Sequence, residues 1–242
     1  MFSICKKEHY DNLEFPENTF REPCNKDNKW CFENKNNEPI YGFMYQNLPI
    51  FKCCKNNLLE ILNYFISLCS TYNIDYFITY GSLLGCLRNQ KFIPWDSDID
   101  VIIFEKDHHL LYSLKDKINS DGFHLVNEKF ISRIYYSKTN KCHIDISFMT
   151  LQNKKLFDYY GRFSFKTDVY KKFIFDTNII FPLQKSIFEN IEVFIPNKPI
   201  EYLEQIYGEK CIDYPLPRMN YGENLEYDTP NSSIWKSFID SN

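Results

Sequence analysis

Three aspartates spaced two apart, Asp96, Asp98 and Asp100, carry the clearest chemical signal in the chain. With Ser97, Ile99 and Val101 interleaved, they read as the start of a strand, and a period of two lets the three carboxylates share one face. Carboxylates so placed repel one another unless a cation lies between them. Aspartate oxygens together with a phosphate are the usual ligands of Mg²⁺. Ahead of them, residues 76–80 read as a strand end, Gly81 as a tight turn, and Ser82 as the N-cap of a short helix over 83–88. The backbone N–H groups at such a helix start suit an anion. A D-x-D pair alone is common in solvated turns. Strand, G-S, short helix, P-W-D and D-I-D in that order is far more specific. Arg88 and Lys91 stand between turn and aspartates, where each reaches a phosphate or Asp96, with a solvated role equally open for Lys91.

The elements that must position these residues are legible on either side. Leu58, Leu59, Leu62, Phe65, Ile66 and Cys69 recur at helical spacing, predicting a helix over 58–72 that Asn73 ends, followed by a strand over 74–80. After the acidic strand, residues 101–104 are apolar on both faces, as in a central buried strand. A helix is expected over 106–118 with His108 and His109 solvated at its start, then strands over 123–126 and 130–136. Residues 142–149 alternate: Ile144, Ile146 and Phe148 face one way, His143, Asp145 and Ser147 the other. Residues 150–180 are aromatic-rich and read as irregular, Tyr159 to Arg162 among them. A strand over 191–196 and a helix over 200–207, with Pro199 near its start and Gly208 after its end, close the pattern.

Four cysteines stand apart from the rest: Cys24, Cys31, Cys53 and Cys54, spaced C-x6-C-x21-C-C. Four thiolates complete a tetrahedral Zn²⁺ shell, which would staple a segment too polar to hold itself together. Scattered core cysteines or disulfides of a secreted protein are the other readings of that spacing. Cys5, Cys69, Cys86, Cys142 and Cys211 show no pattern and are expected to pack.

The order h-G-S, about fifteen residues, then D-h-D resembles the nucleotidyltransferase superfamily of DNA polymerase β type. The fuller string G-S-L-L-G-C-L-R, then F-I-P-W-D-S-D-I-D-V, is similar to one branch of it, the LicD/fukutin-related family. The distal P-L-x4-F-x4-V-x2-P segment from Pro182 to Pro196 resembles that family too. The resemblance implies an α/β (α+β) fold, a short mixed sheet flanked by helices, with an N-terminal zinc-binding insertion. It implies transfer of a phosphorylated alcohol (ribitol phosphate, glycerol phosphate or phosphocholine) from a CDP-activated donor to a glycan hydroxyl, with release of CMP. It makes Asp145 the third carboxylate beside Asp98 and Asp100 on Mg²⁺ or Mn²⁺, puts Gly81, Ser82 and Arg88 at the donor phosphates, and leaves Asp96 or Asp145 as base. It also aligns Cys24, Cys31, Cys53 and Cys54 with the zinc ligands of the fukutin-related branch. Two rival readings stay open, an NTP-using nucleotidyltransferase and an inactive zinc-stabilised binding module on the same frame.

Composition sets the outer limits. The 242 residues are 44% hydrophobic and 25% charged, with 7 glycines, which describes a globular chain. Three stretches are expected: a loop-rich segment over 1–54 carrying the four cysteines, a catalytic domain over 55–217, and a tail over 218–242. A formal charge of −4 gives no general attraction to nucleic acid or to an anionic membrane. No stretch has the apolar length of a leader core or an integral membrane segment, so the chain as written is expected in the cytosol. Animal relatives of the resembled family work in the Golgi lumen behind an N-terminal anchor, the alternative if the N-terminus is incomplete. A homo-oligomer stays open.

Overall fold

The computed structural model describes residues 22–32, 50–128, 131–158, 172–209 and 211–212. The aromatic run from Tyr159 to Arg162 and the tail over 218–242 lie outside them. Helix α1 (Lys52–Tyr72) leads through Asn73, which takes the left-handed conformation (φ 54°), into β1 (Tyr76–Ile78). Helix α2 (Tyr80–Asn89) follows at once, and then β2 (Asp98–Phe104). The helix expected over 106–118 is broken: a 3₁₀ turn (Glu105–Asp107) precedes α3 (His108–Ser113) and α4 (Lys115–Ser120), with Leu114 between them. Strands β3 (His124–Asn127), β4 (Ser132–Tyr135) and β5 (His143–Gln152) form a meander. The stretch read as irregular holds β6 (Lys155–Asp158), β7 (Ile174–Asp176) and a short α5 (Thr177–Ile180). Its first turn explains β6: Asn153 and Lys154 both have positive φ (51° and 62°), the geometry that reverses a two-residue hairpin. The hairpin β8 (Gln184–Phe188) and β9 (Ile191–Ile195) turns the same way through Glu189 and Asn190 (51° and 62°). Helix α6 (Pro199–Tyr207) starts on proline and stops at Gly208 (φ 96°).

Seven of these strands form one mixed sheet in the order β1-β2-β5-β4-β3, extended from β5 by β6 and β7; β8 and β9 pair only with each other. The pairing that matters is β2 with β5. They run parallel and in register, so Asp98 lies beside His143 and Asp100 beside Asp145. The interleaved positions Ile99, Val101, Ile144 and Ile146 are completely buried. Burying that apolar row fixes the register, because a slip of one residue would put isoleucines in water and carboxylates in the core. One continuous apolar core runs from Cys24 through both ends of the sheet to Cys211. No described helix is long and apolar enough to cross a membrane.

Candidate functional site

Alternation along β2 brings the half-buried Asp98 and Asp100 to one face, and register adds His143 and Asp145 from β5. Asp96 lies ahead of the strand, on the loop rather than in β2, yet its carboxylate reaches the same place. Oxygens of Asp96, Asp98 and Asp100 lie within 4.8 Å of one another, and so do ligand atoms of Asp98, His143 and Asp145. Donor type and spacing in the first set suit a hard divalent cation.

Two contacts explain why the loop holds Asp96 so close. A Cβ built on Gly81 would lie 2.3 Å from Asp96 Oδ2, so only a residue without a side chain admits that carboxylate here, while Asp100 Oδ2 at 3.6 Å would be in ordinary contact. The loop after α2 is clamped as well. Glu189 at the β8–β9 turn donates its N–H to Gln90 O (2.7 Å) and accepts from Phe92 N–H (2.9 Å), while pairing with Lys55 of α1 (2.8 Å).

The turn itself differs from the expectation. Thr79, not Ser82, is the N-cap residue, and Ser82 lies inside the first turn of α2. Its buried hydroxyl accepts the Asp100 N–H (3.0 Å), and Thr79 N–H donates to Asp100 O (3.0 Å), so the turn is stapled to the acidic strand. Tyr80 adopts φ 44°, a conformation that costs a non-glycine residue about 1–3 kcal/mol unless its surroundings hold it. What holds it is a hydrogen bond from its phenol to the buried Asp158 at the end of β6. Burial, then the charge of Asp158, pushes the Tyr80 hydroxyl well above its ordinary pKa and keeps it a donor. Beneath, Thr79 Oγ1 meets the Tyr202 hydroxyl of α6 at 2.6 Å.

Asp145 is engaged on both oxygens by Arg133, its cross-strand partner in β4, at 2.6 Å (Nε to Oδ1) and 3.3 Å (Nη2 to Oδ2). Burial works against the Arg133 charge, but the hydrogen bonds and charge of Asp145 outweigh it and raise the guanidinium pKa. Arg88 is elsewhere. Its guanidinium donates to the carbonyls of Cys211 and Ile212, and Lys91 is exposed. His108 is half-buried, its ring centroid 4.3 Å from that of Phe148, while His109 is exposed.

The four cysteines meet in space. Cys24 Sγ lies 3.4 Å from both Cys53 Sγ and Cys54 Sγ, Cys31 Sγ 3.5 Å from Cys53 Sγ, and none is in a disulfide. Helix α1 begins two residues earlier than Cys54, which puts the adjacent pair in its first turn. Mutual contact shifts the thiols: the hydrogen bond with Cys31 raises Cys24, the one with Cys24 lowers Cys53, and burial raises Cys54. Asn57 Nδ2 donates to both Cys24 O (3.1 Å) and Cys24 Sγ (3.2 Å). This cluster touches the acidic face: Trp30 sits edge-on to His143 at 6.1 Å, and the turn before β5 docks on the cysteine segment through Asn140 Nδ2 to Asn25 O (2.8 Å) and Ser137 Oγ to Lys26 O (2.6 Å).

The sequence reading left Arg133, Tyr80 and Asp158 without a role and put His143 only on the Asp145 face. That shared face was the one signal for His143; the others depend on pairings that no local pattern encodes.

A family model described as LicD/FKTN/FKRP, nucleotidyltransferase domain, matches residues 73–198. Human ribitol 5-phosphate transferase FKRP is 27% identical over 214 residues, covering 81% of this chain and 40% of its own. Lipopolysaccharide cholinephosphotransferase LicD of Haemophilus influenzae is 46% identical over 50 residues, 21% of this chain and 19% of its own. An uncharacterized protein of Rickettsia prowazekii is 32% identical over 137 residues, covering 57% of this chain and 48% of its own. The chain spans less than half the length of these relatives. Among solved structures, the lincosamide antibiotic adenylyltransferase LnuA with lincomycin bound aligns over 63% of this chain and 96% of its own at 11% identity, with a TM-score of 0.38.

Proposed function

From the premise that the chain belongs to the LicD/FKTN/FKRP nucleotidyltransferase-domain family, we propose that it moves a phosphorylated alcohol from a CDP-activated donor to a glycan hydroxyl and releases CMP. The alcohol is of the ribitol phosphate, glycerol phosphate or phosphocholine type. One observation carries this reading: in-register pairing of β2 with β5 sets Asp100 beside Asp145 and brings Asp98 within reach of it, next to a helix start whose Gly81 leaves room for Asp96.

In this reading Asp98 and Asp100, with Asp145, hold Mg²⁺ or Mn²⁺, which neutralises the donor diphosphate and its developing charge when bound. The first turn of α2, with Gly81 and Ser82, meets the donor's terminal oxygens, because N–H groups at a helix start lack intrahelical partners and favour anions. Arg133 holds Asp145 in one orientation. The acceptor hydroxyl gives its proton to Asp96 or Asp145, its oxygen bonds to the phosphorus bearing the alcohol, and the bond from that phosphorus to CMP breaks. Arg88 ties α2 to the segment at residues 211–212 through its bonds to the Cys211 and Ile212 carbonyls. Cys24, Cys31, Cys53 and Cys54 hold a structural Zn²⁺, a role supported by Sγ spacings of 3.4 to 3.5 Å close to the roughly 3.8 Å of four thiolates around one zinc.

The test is CMP release by purified protein with Mg²⁺ or Mn²⁺, offered CDP-ribitol, CDP-glycerol and CDP-choline, with CTP as control. Release from one CDP-alcohol, lost in Asp98→Asn with its melting temperature preserved, is the result this reading requires. Turnover retained by Asp98→Asn would remove that residue from the site. Pyrophosphate from CTP alone would make the protein an NTP-using enzyme instead.

A further inference from the structure

His143 opens β5 with Asp98 as its neighbour on one side and Tyr135 on the other. Its Nδ1 lies 2.8 Å from the Lys141 carbonyl, and a carbonyl only accepts, so Nδ1 carries the hydrogen. In the neutral ring the lone pair is therefore on Nε2. That atom lies 3.3 Å from Asp145 Oδ1 and 4.0 Å from Asp98 Oδ2. A lone pair facing two carboxylates is repelled unless a cation stands between them.

Spacing favours a metal ion there. Ligands about 2.1 Å from one ion are about 3 Å apart when adjacent and about 4.2 Å apart when opposite. The two His143 distances fall within that range. An imidazole whose other nitrogen donates to a backbone carbonyl is the usual arrangement of a metal-bound histidine, since the second bond fixes both tautomer and ring plane. The ring is further held edge-on by Trp30 and against Tyr135, with centroids 6.1 Å and 5.5 Å away. Arg133 shares Asp145, but a carboxylate has about four lone-pair sites, and the two Arg133 bonds do not use them all.

Resting on the transferase reading, we infer that His143 is a metal ligand. With Asp98 and Asp145 it forms a second cation site that contains nitrogen and selects a first-row transition ion over Mg²⁺. Asp98 and Asp100 offer oxygen only and would take Mg²⁺ on the other side, which leaves Asp96 as the acceptor's base; Asp98 is common to both sets. The selectivity follows from the donors, because imidazole suits transition ions whereas Mg²⁺ prefers oxygen and retains its waters. His143 is the one histidine in either cluster among the described residues.

Mn²⁺ is the probe, because its electron spin reports a bound nitrogen directly. Protein carrying one equivalent of Zn²⁺, enough for the four thiolates alone, and two equivalents of Mn²⁺ should show ¹⁴N modulation of the electron spin echo from one imidazole. That modulation should survive an excess of Mg²⁺, which competes for the oxygen set. His143→Gln should abolish it and lower the preference for Mn²⁺ over Mg²⁺ by about tenfold or more, while one Mn²⁺ still binds. Absence of nitrogen modulation in the unmodified protein overturns the site, and so does modulation that persists in His143→Gln. The first of these needs no variant to fold. CMP release without the nitrogen signal would sink this site and leave the transferase standing. The signal without turnover on any CDP-alcohol would support the site and count against the transferase.

Discussion

At the residue scale, Gly81 shows how much the absence of a single methyl group decides, because the Asp96 carboxylate fills the space a side chain would take. Adding a methyl group at Gly81 puts it 2.3 Å from Asp96 Oδ2, the end of a short side chain, so the carboxylate must swing away while the backbone stays put. Gly81→Ala should therefore keep its melting temperature within a few degrees and lose about 100-fold in kcat/KM for CMP release, the scale of a 1 Å misplacement in a positioned site. A variant that keeps full turnover would show that Asp96 has no need of that position. The same scale explains which site residues were legible. Asp98 and Asp100 announce themselves by alternation, and Asp145 by the same rule on its own strand. Arg133 does not, because it meets Asp145 through the register of β4 on β5, which a single sequence leaves free. Tyr80 is hidden for another reason: its left-handed backbone is sustained by Asp158, 78 residues away.

At the scale of elements, α2 must sit close to the loop that carries Asp96. Gly85 is the residue that permits it, since a Cβ there would lie 2.4 Å from Lys91 O and 3.2 Å from Ile93 N. Those obstacles are backbone, and they are clamped: Phe92 N–H is held by Glu189, and Pro94 O accepts from Ile50 N–H. Overpacking that cannot relax costs about 1–3 kcal/mol. Gly85→Ala should thus lower the midpoint of urea unfolding, whereas Gly81→Ala should not; equal midpoints for the two variants would contradict this division of labour. The reach of sequence reading follows the same lines. Helix α1, strands β2 and β5 and helix α6 stood out because each has one strong period and a clear end. Strands β6 and β7 did not, being short and joined to the sheet only through the far end of β5, at Met149 to Gln152. The Ser82 cap failed because its hydroxyl found a tertiary partner, the Asp100 N–H, in place of its own helix.

For the whole molecule, the question is whether the cysteine segment is a separate unit or part of the catalytic body. A boundary at residue 54 would fall inside α1, and Cys24, Trp30, Cys31 and Phe32 belong to the same continuous core as the sheet. Trp30 lies against His143, and Asn140 and Ser137 fasten the β4–β5 turn to the backbone at Asn25 and Lys26. A metal bound by the four thiolates would consequently stabilise the acidic face as well as the segment that carries it. Binding confined to the folded state adds its full free energy to folding, and for a domain of this size each kcal/mol moves the melting temperature by about 2–4 °C. Calorimetry of the zinc-loaded protein should give a single transition over the described body. Chelation, or Cys53→Ser, should shift that transition as a whole by about 10 °C or more and weaken Mn²⁺ binding at the aspartates in parallel. Two transitions, with only the smaller one sensitive to chelator and Mn²⁺ affinity unchanged, would instead make the cysteine segment an independent module. The contact from Trp30 to His143 would then carry no coupling between the two.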